Sequence, residues 1–319
     1  MSVPKVSVLI PSYEYARYLP EAIESVLAQD FPDFELLISD DASTDGSGEV
    51  IAAYAAKDRR IRFHLHQANL GMVQNWNWCL SQARGEYIKF VCGDDKLASP
   101  RALARLVELL ETNPSATLAS SARLFIGENG EHLETWDFCK PGRHAGTSII
   151  CRCLEADRNL IGEPTAVLFR RREAARGFNP GYRQVVDMEF WFHLLEKGDF
   201  VYASEPLSCW RQHAAQQTRV NKRDLSAEAE ALRLFNECLG KPYVSAYNLR
   251  LRLFNRLYDL RKHLRRTAHP SERLVKLERM YTATLTASWY AFYWSRRRIT
   301  RPFRNLQHWL AQPPKSRSG

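Results

Sequence analysis

No apolar run in this 319-residue chain approaches the roughly 20 residues that a membrane-spanning helix needs. The opening stretch, MSVPKVSVLIPSY, has neither a charged leader nor a long apolar core. A signal peptide is therefore not expected, and the chain reads as cytoplasmic. Zinc-type cysteine spacing is missing as well. The seven cysteines, at 79, 92, 139, 151, 153, 209 and 238, are odd in number, and Cys151 and Cys153 stand too close for a usual structural metal site. Reduced thiols are the expectation. No Gly-rich phosphate loop follows the first apolar run: IPSYEYARY contains neither Gly nor Lys, which speaks against a nucleotidyltransferase. Internal repeats are absent. What remains, at 45% hydrophobic and 25% charged residues, is an ordinary globular composition.

Charge is unevenly placed. Residues 221–319 hold 21 Lys and Arg against 7 Asp and Glu, a net of +14, which leaves −5 for residues 1–220. Two regions with different partners are expected, 1–220 and 221–319.

The first region alternates apolar strands with helical patterns. KVSVLI, FELLISDD, IRFHLHQ and EYIKFVCGDD read as strands. Between them, YLPEAIESVLAQD, STDGSGEVIAAYAAKD and GMVQNWNWCLSQARG read as helices, the last closed by Gly85. SPRALARLVELLETNP reads as a further helix, with Ser99 as its cap and Pro100 in its first turn. Such alternation implies an α/β fold with a parallel sheet and ligands at the carboxyl ends of its strands. Those ends carry Pro11-Ser12-Tyr13, Asp40-Asp41 and Asp94-Asp95. After residue 115 the pattern becomes mixed: strands are expected at ATLASSARLFI, HLETWDF, PTAVLFRR and FVYASEPLSCWRQH, and helices at TSIICRCLEAD and DMEFWFHLLEKG.

Two adjacent carboxylates repel and are costly to desolvate. A divalent cation, Mn²⁺ or Mg²⁺, would offset both costs and leave positions for substrate phosphates. A polar turn is the alternative for Asp94-Asp95, and an Asx-turn for Asp40-Asp41.

The run VSVLIPSYEYARYLPEAIESVLAQDFPDFELLISDDASTDGS, followed by NLGMVQNWNWCLSQARGEYIKFVCGDD, resembles the inverting family 2 glycosyltransferases. That likeness extends over about residues 5–215. It implies a GT-A fold, a Rossmann-like sheet with helices on both faces, to which a C-terminal helical region is added here. It also implies a nucleoside diphosphate sugar donor (UDP, GDP or dTDP), a glycan or lipid-linked acceptor, and a setting in bacterial surface polysaccharide assembly.

By the same resemblance, Pro11, Ser12, Tyr13, Asp40 and Asp41 line the nucleotide pocket. Asp94 binds the metal, Asp95 supports metal or donor, His213 completes the metal shell, and Arg211 grips the diphosphate. Asp187, in VVDMEFWFHLL, takes the acceptor proton, with Glu189 as second candidate and a helix cap as the structural alternative. Glu163, Pro164 and Thr165 face the acceptor. The chain departs from the family pattern at three places: Cys92 stands where the first acid of the DxD motif is expected, Glu14 where Asn is usual, and Val186 in place of the Glu before the base. Cys92 keeps a non-catalytic glycan- or membrane-binding protein in view.

The basic region reads as helical, over DLSAEAEALRLFNECLG and VSAYNLRLRLFNRLYDLRKHLRR. Trp289, Tyr290, Phe292, Tyr293 and Trp294 come just before Arg296, Arg297 and Arg298. An anionic membrane surface on the cytoplasmic side is the expected partner, a packed helical appendage the alternative. Nucleic acid is not expected, since no recognition motif accompanies the charge.

Overall fold

The computed structural model describes residues 3–213, 225–267 and 269–297. Arg298 and the segment beyond it lie outside the described residues. The chain divides into two compact units, residues 1–230 and 231–319, where the charge change had suggested a division near 220.

The first unit is built on one sheet that contains ten strands among the described residues. Strand β1 (Val6–Ser12) is buried on both faces. It pairs in parallel with β2 (Phe34–Asp40) on one side and β4 (Tyr87–Phe90) on the other, and β2 pairs in parallel with β3 (Ile61–Leu65). Helices α1 (Leu19–Leu27), α2 (Ser47–Ala55) and α3 (Met72–Gln82) supply the crossovers. In α1 the buried residues Leu19, Ala22, Ile23 and Val26 form one helical stripe against the sheet. This half of the fold matches the alternation read from the sequence.

The second half inserts antiparallel pairs. β9 (Val167–Arg170) runs antiparallel between β4 and β6 (Ala116–Ile126). β10 (Asp199–Arg211) lies parallel to β6, with register shifts around Pro206, where the missing N–H interrupts the ladder. A two-residue strand, β5 (Lys96–Leu97), pairs with Cys209 and Ser208 of β10. β7 (His132–Trp136) edges β6, and β8 (Gly142–His144) edges β10. Helices α4 (Ala102–Glu111), α5 (Gly146–Ala156) and α6 (Val186–Leu195) complete the unit.

Two local expectations are corrected. Helix α4 starts at Ala102 rather than at Pro100. Arg101 is its cap residue, and Ser99 contributes only its carbonyl, to the Ala102 amide. Gly85 does not close α3, which ends at Gln82 with Ala83 extended. The glycine is needed because a Cβ there would lie 2.4 Å from the Ser7 nitrogen, inside β1. The buried Ser7 hydroxyl accepts from the Arg84 and Gly85 amides and donates to Glu35, so this corner has its polar groups paired.

Helix α7 (Ser226–Leu239) begins in the first unit. The second unit holds α8 (Ala246–Leu264), capped by Ser245, and α9 (Glu272–Thr284), capped by Ser271. Residues 287–297 are also helical. Arg261 pairs with Glu278 at 2.6 Å and Arg256 donates to the Tyr281 hydroxyl at 2.8 Å, tying α8 to α9. Among the described residues, no helix is long and apolar enough to cross a membrane.

Candidate functional site

The carboxyl ends of β1, β2 and β4 open into a cleft of about 410 Å³. Nine of the residues given a site role from the sequence line it: Pro11, Ser12, Tyr13, Asp41, Asp94, Asp95, Glu163, Pro164 and Asp187. Asp40, Thr165, Glu189, Arg211 and His213 do not. Parallel pairing explains those at the ends of β1, β2 and β4, because Ser12 registers with Asp40 and Leu9 with Phe90, so the residues following each strand meet at one edge.

Asp41 is fixed by the turn after β3. Its Oδ1 accepts from the Leu70 amide at 2.7 Å and its Oδ2 from the Gly71 amide at 2.9 Å. Gly71 holds φ +85°, which a side chain would strain. Asp40 instead turns to Ser43, accepting from its amide at 2.9 Å and its hydroxyl at 2.6 Å. Glu14 occupies the left-handed region at φ 57°, where Asn is the better-suited residue. Its carboxylate accepts from the Thr44 amide at 2.7 Å, clipping the loop after β1 to the loop after β2.

Past β4 the chain turns through Cys92, Asp94 and Asp95, whose ligand atoms all lie within 4.8 Å of one another. Asp95 is buried and held on both oxygens: Oδ1 accepts from the Arg211 amide at 2.9 Å and Oδ2 from the Thr165 hydroxyl at 2.6 Å. Burial, and then the neighbouring Asp94, push its carboxyl well above the usual range. Asp94 pairs with His213, Nε2 to Oδ2, at 3.0 Å. Tyr18 and Tyr15 pack on the His213 ring, at 4.9 and 6.1 Å between centroids. Burial and both aspartates drive the Cys92 thiol upward, and its sulfur is a poor match for a hard cation.

Two buried cations stand behind these acids. Arg211 donates from Nε to the Asp94 carbonyl at 2.8 Å, from Nη1 to the Glu128 carbonyl at 3.0 Å, and from Nη2 to Glu21 at 3.0 Å. It braces the acidic turn from behind the cleft wall. Lys89 donates to the carbonyls of Thr165 and Val167 under the turn. Burial pulls its ammonium down to about 7. Sequence reasoning passed over Lys89, although a lysine inside YIKF, a strand buried throughout, is itself a signal.

Asp187 stands at the second position of α6 and is not its cap, which is Val185. Its Oδ1 accepts from the Met188 amide at 2.7 Å and its Oδ2 from Asn159 Nδ2 at 3.1 Å. Burial lifts its carboxyl to about 7, and Glu163 adds to the rise, while the Met188 amide and Arg123 work against it. Asn159 also accepts from the Ile161 and Gly162 amides, both at 3.0 Å, and so organises the turn leading to Glu163. Glu163 is ion-paired to Arg123, a buried arginine on β6 whose guanidinium lies 5.6 Å from the Trp136 ring centre. Neither Asn159 nor Arg123 was read from the sequence. Glu189 forms a two-point pair with Arg176, at 2.7 and 2.9 Å, and is buried away from the cleft.

Residues 7–174 match the family model described as Glycosyl transferase family 2. Among curated relatives, the putative teichuronic acid biosynthesis glycosyltransferase TuaG of Bacillus subtilis is 29% identical over 199 residues, covering 62% of this chain and 75% of that protein. The crystal structure of S. aureus TarS residues 1–349 in complex with UDP-GlcNAc superposes with a TM-score of 0.62 at 20% identity, over 77% of this chain and 70% of that one. The mannosyltransferase PcManGT of Pyrobaculum calidifontis, in complex with GDP-Man and Mn²⁺, gives 0.56 at 16% identity, over 96% and 84%. At these identities the two structures speak for the fold alone, which is GT-A.

Proposed function

The chain belongs to glycosyl transferase family 2, and from that premise we propose that it moves a sugar from a nucleoside diphosphate donor to a hydroxyl of a glycan or lipid-linked acceptor, with inversion. The observation that carries this reading is a single cleft lined both by the acidic turn after β4 and by Asp187 of α6. Pro11, Ser12, Tyr13 and Asp41 form the part that would take the nucleotide. Asp187, with a carboxyl near 7, would accept the proton of the acceptor hydroxyl as that oxygen bonds to the anomeric carbon and the bond to the diphosphate oxygen breaks.

A divalent cation, Mn²⁺ or Mg²⁺, fits the residues present: two crowded carboxylates offer hard oxygen ligands. Asp94 would hold it, with His213 beside it. Such a cation neutralises charge developing on a leaving diphosphate. Thr165 and Arg211 keep Asp95 and the Asp94 backbone in place, which is a positioning role rather than a grip on substrate. TuaG's name supports a place in cell-surface polysaccharide synthesis.

For the second unit we keep an anionic membrane surface as the partner, on a different set of residues. Arg296 and Arg297 lie over Tyr247 and Tyr258, at 5.2 and 4.2 Å from the ring centres, so part of the expected surface is internal packing. Lys262, Arg265 and Arg266 instead line an open groove of about 600 Å³ beside Tyr290 and Trp294. Among the described residues these three cations have no acidic partner, and no Asp or Glu follows Glu278 in the sequence.

Thermal stabilisation by UDP, GDP and dTDP, with and without Mn²⁺, tests the donor half. A nucleotide at a hundredfold excess over its Kd should add about 2.7 kcal/mol of stability. A chain that no nucleotide stabilises, and that hydrolyses no sugar nucleotide, would be a binding protein on this fold rather than an enzyme.

A further inference from the structure

Three consecutive backbone amides just before α6 point at one carboxylate. Glu230, near the start of α7, accepts from the Arg183 amide on both oxygens, at 2.9 Å each. Its Oε2 also accepts from the Gln184 amide at 2.7 Å and the Val185 amide at 3.2 Å. Val185 is the cap residue of α6, and no side chain of its own segment caps that helix. Of the donors that this helix start leaves unpaired, the Val185 amide is therefore met from 45 residues downstream, together with the two amides that precede it. A negative charge at that end also faces the positive end of the helix dipole.

These amides belong to the cleft wall. Arg183, Gln184, Val186 and Asp187 all line it, and Asp187 lies two residues past the clamped Val185. A carboxylate fixed by amide donors from three residues leaves that segment little freedom to rotate. Other groups around Asp187 fix its side chain: the Met188 amide and Asn159. None of them fixes the backbone before it.

We infer that Glu230 is a positioning residue: by clamping residues 183–185 it sets the start of α6 and so the place of the Asp187 carboxylate against an acceptor. The inference rests on the reading of Asp187 as the base. It gives α7 a part in the reaction although Glu230 touches no substrate. It also predicts that a chain ending with β10, which keeps every lining residue of the cleft, lacks the brace.

The test uses the full chain and the substitutions Glu230→Ala and Glu230→Gln. Amide hydrogen exchange at 183–185 should accelerate strongly in Glu230→Ala, while exchange in β1 and β6 stays as in wild type. The kcat for transfer should fall by roughly ten- to a hundredfold, the scale on which small misplacements act, with donor KM little changed. The acid limb of the kcat profile should move to lower pH as water reaches Asp187, which a merely structural contact would not cause. Glu230→Gln keeps one accepting oxygen and should fall between the two. Wild-type transfer is measured first: none from any sugar nucleotide sinks the glycosyl-transfer reading and the inference with it. Transfer that persists at the wild-type rate in Glu230→Ala, with the acid limb in place, sinks the inference alone. So does unaltered protection of the three amides.

Discussion

Replacing Asp187 with Asn removes a proton acceptor and almost nothing else, and the structure says what the remainder costs. The Asn carbonyl oxygen can still accept from the Met188 amide, as Oδ1 does now at 2.7 Å. Its amide then faces Asn159 Nδ2, donor against donor, where Oδ2 now accepts at 3.1 Å. One lost hydrogen bond costs about 1 kcal/mol, so the variant should fold. Val185, not Asp187, is the helix cap, so no capping term is added. Transfer should nevertheless slow by roughly 10²–10⁴-fold, the weight of general base catalysis. The pH dependence sharpens the test. A base titrating at about 7 is protonated, and idle, below that pH. Wild-type kcat/KM should therefore fall with acidification, by about a hundredfold at pH 5, two units below the midpoint. Asp187→Asn should lack that limb while binding donor nucleotide as wild type does, measured by thermal shift. A variant that transfers at close to the wild-type rate, or that keeps the acid limb, would refute the assignment. Glu189 is a poor substitute base, because its two-point pair with Arg176 engages both oxygens.

Asp94→Ala should abolish the Mn²⁺-dependent part of nucleotide binding and leave the fold intact; tight binding that ignores a chelator would remove the metal role. In the second unit, reversing the charge at Lys262, Arg265 and Arg266 should release the protein from anionic vesicles without touching hydrolysis of soluble donor. Each basic residue near such a surface contributes roughly 1 kcal/mol, screened by salt. Equal partitioning of wild type and the triple variant in a vesicle sedimentation assay would leave the groove without a membrane role.

The parts of this molecule that were legible in the sequence are those with a local signature. Strand–helix alternation gave β1 to β4, and the β-branched and apolar runs gave β6 and β10 nearly to the residue. Strand β5 was not legible. Two residues, Lys96 and Leu97, have no period, and they become a strand only because β10 arrives beside them. The same holds for the groups that brace the acids. Arg211 reads in the sequence as a grip on the diphosphate, and its bracing role appears only when β10 carries it under the Asp94–Asp95 turn, more than a hundred residues away in sequence. Glu230 sits in SAEAEAL, a helix pattern that says nothing of the amides at 183–185.

The arrangement of charge argues that the acidic turn is built for a ligand that brings its own cation. Behind this pair of acids, Arg211 donates to the Asp94 backbone carbonyl and is ion-paired to Glu21, while the Asp94 side chain is paired with His213. Lys89, the other buried cation, is turned to carbonyls and sits at about 7, so near neutral pH it contributes only part of a charge. Thr165 and the Arg211 amide orient Asp95 without neutralising it. The protein thus fixes the geometry of both carboxylates and leaves them crowded, and burial, with Asp94 adding to it, drives the Asp95 carboxyl up. A cation arriving with a diphosphate would remove their repulsion on binding. Nucleotide and metal are therefore expected to bind cooperatively, each weakly alone. Thermal shifts measured with the nucleotide, with Mn²⁺ and with both should show a combined shift larger than the sum of the separate ones. Strictly additive shifts would mean that the acids serve two independent ligands, and the turn would have to be read another way.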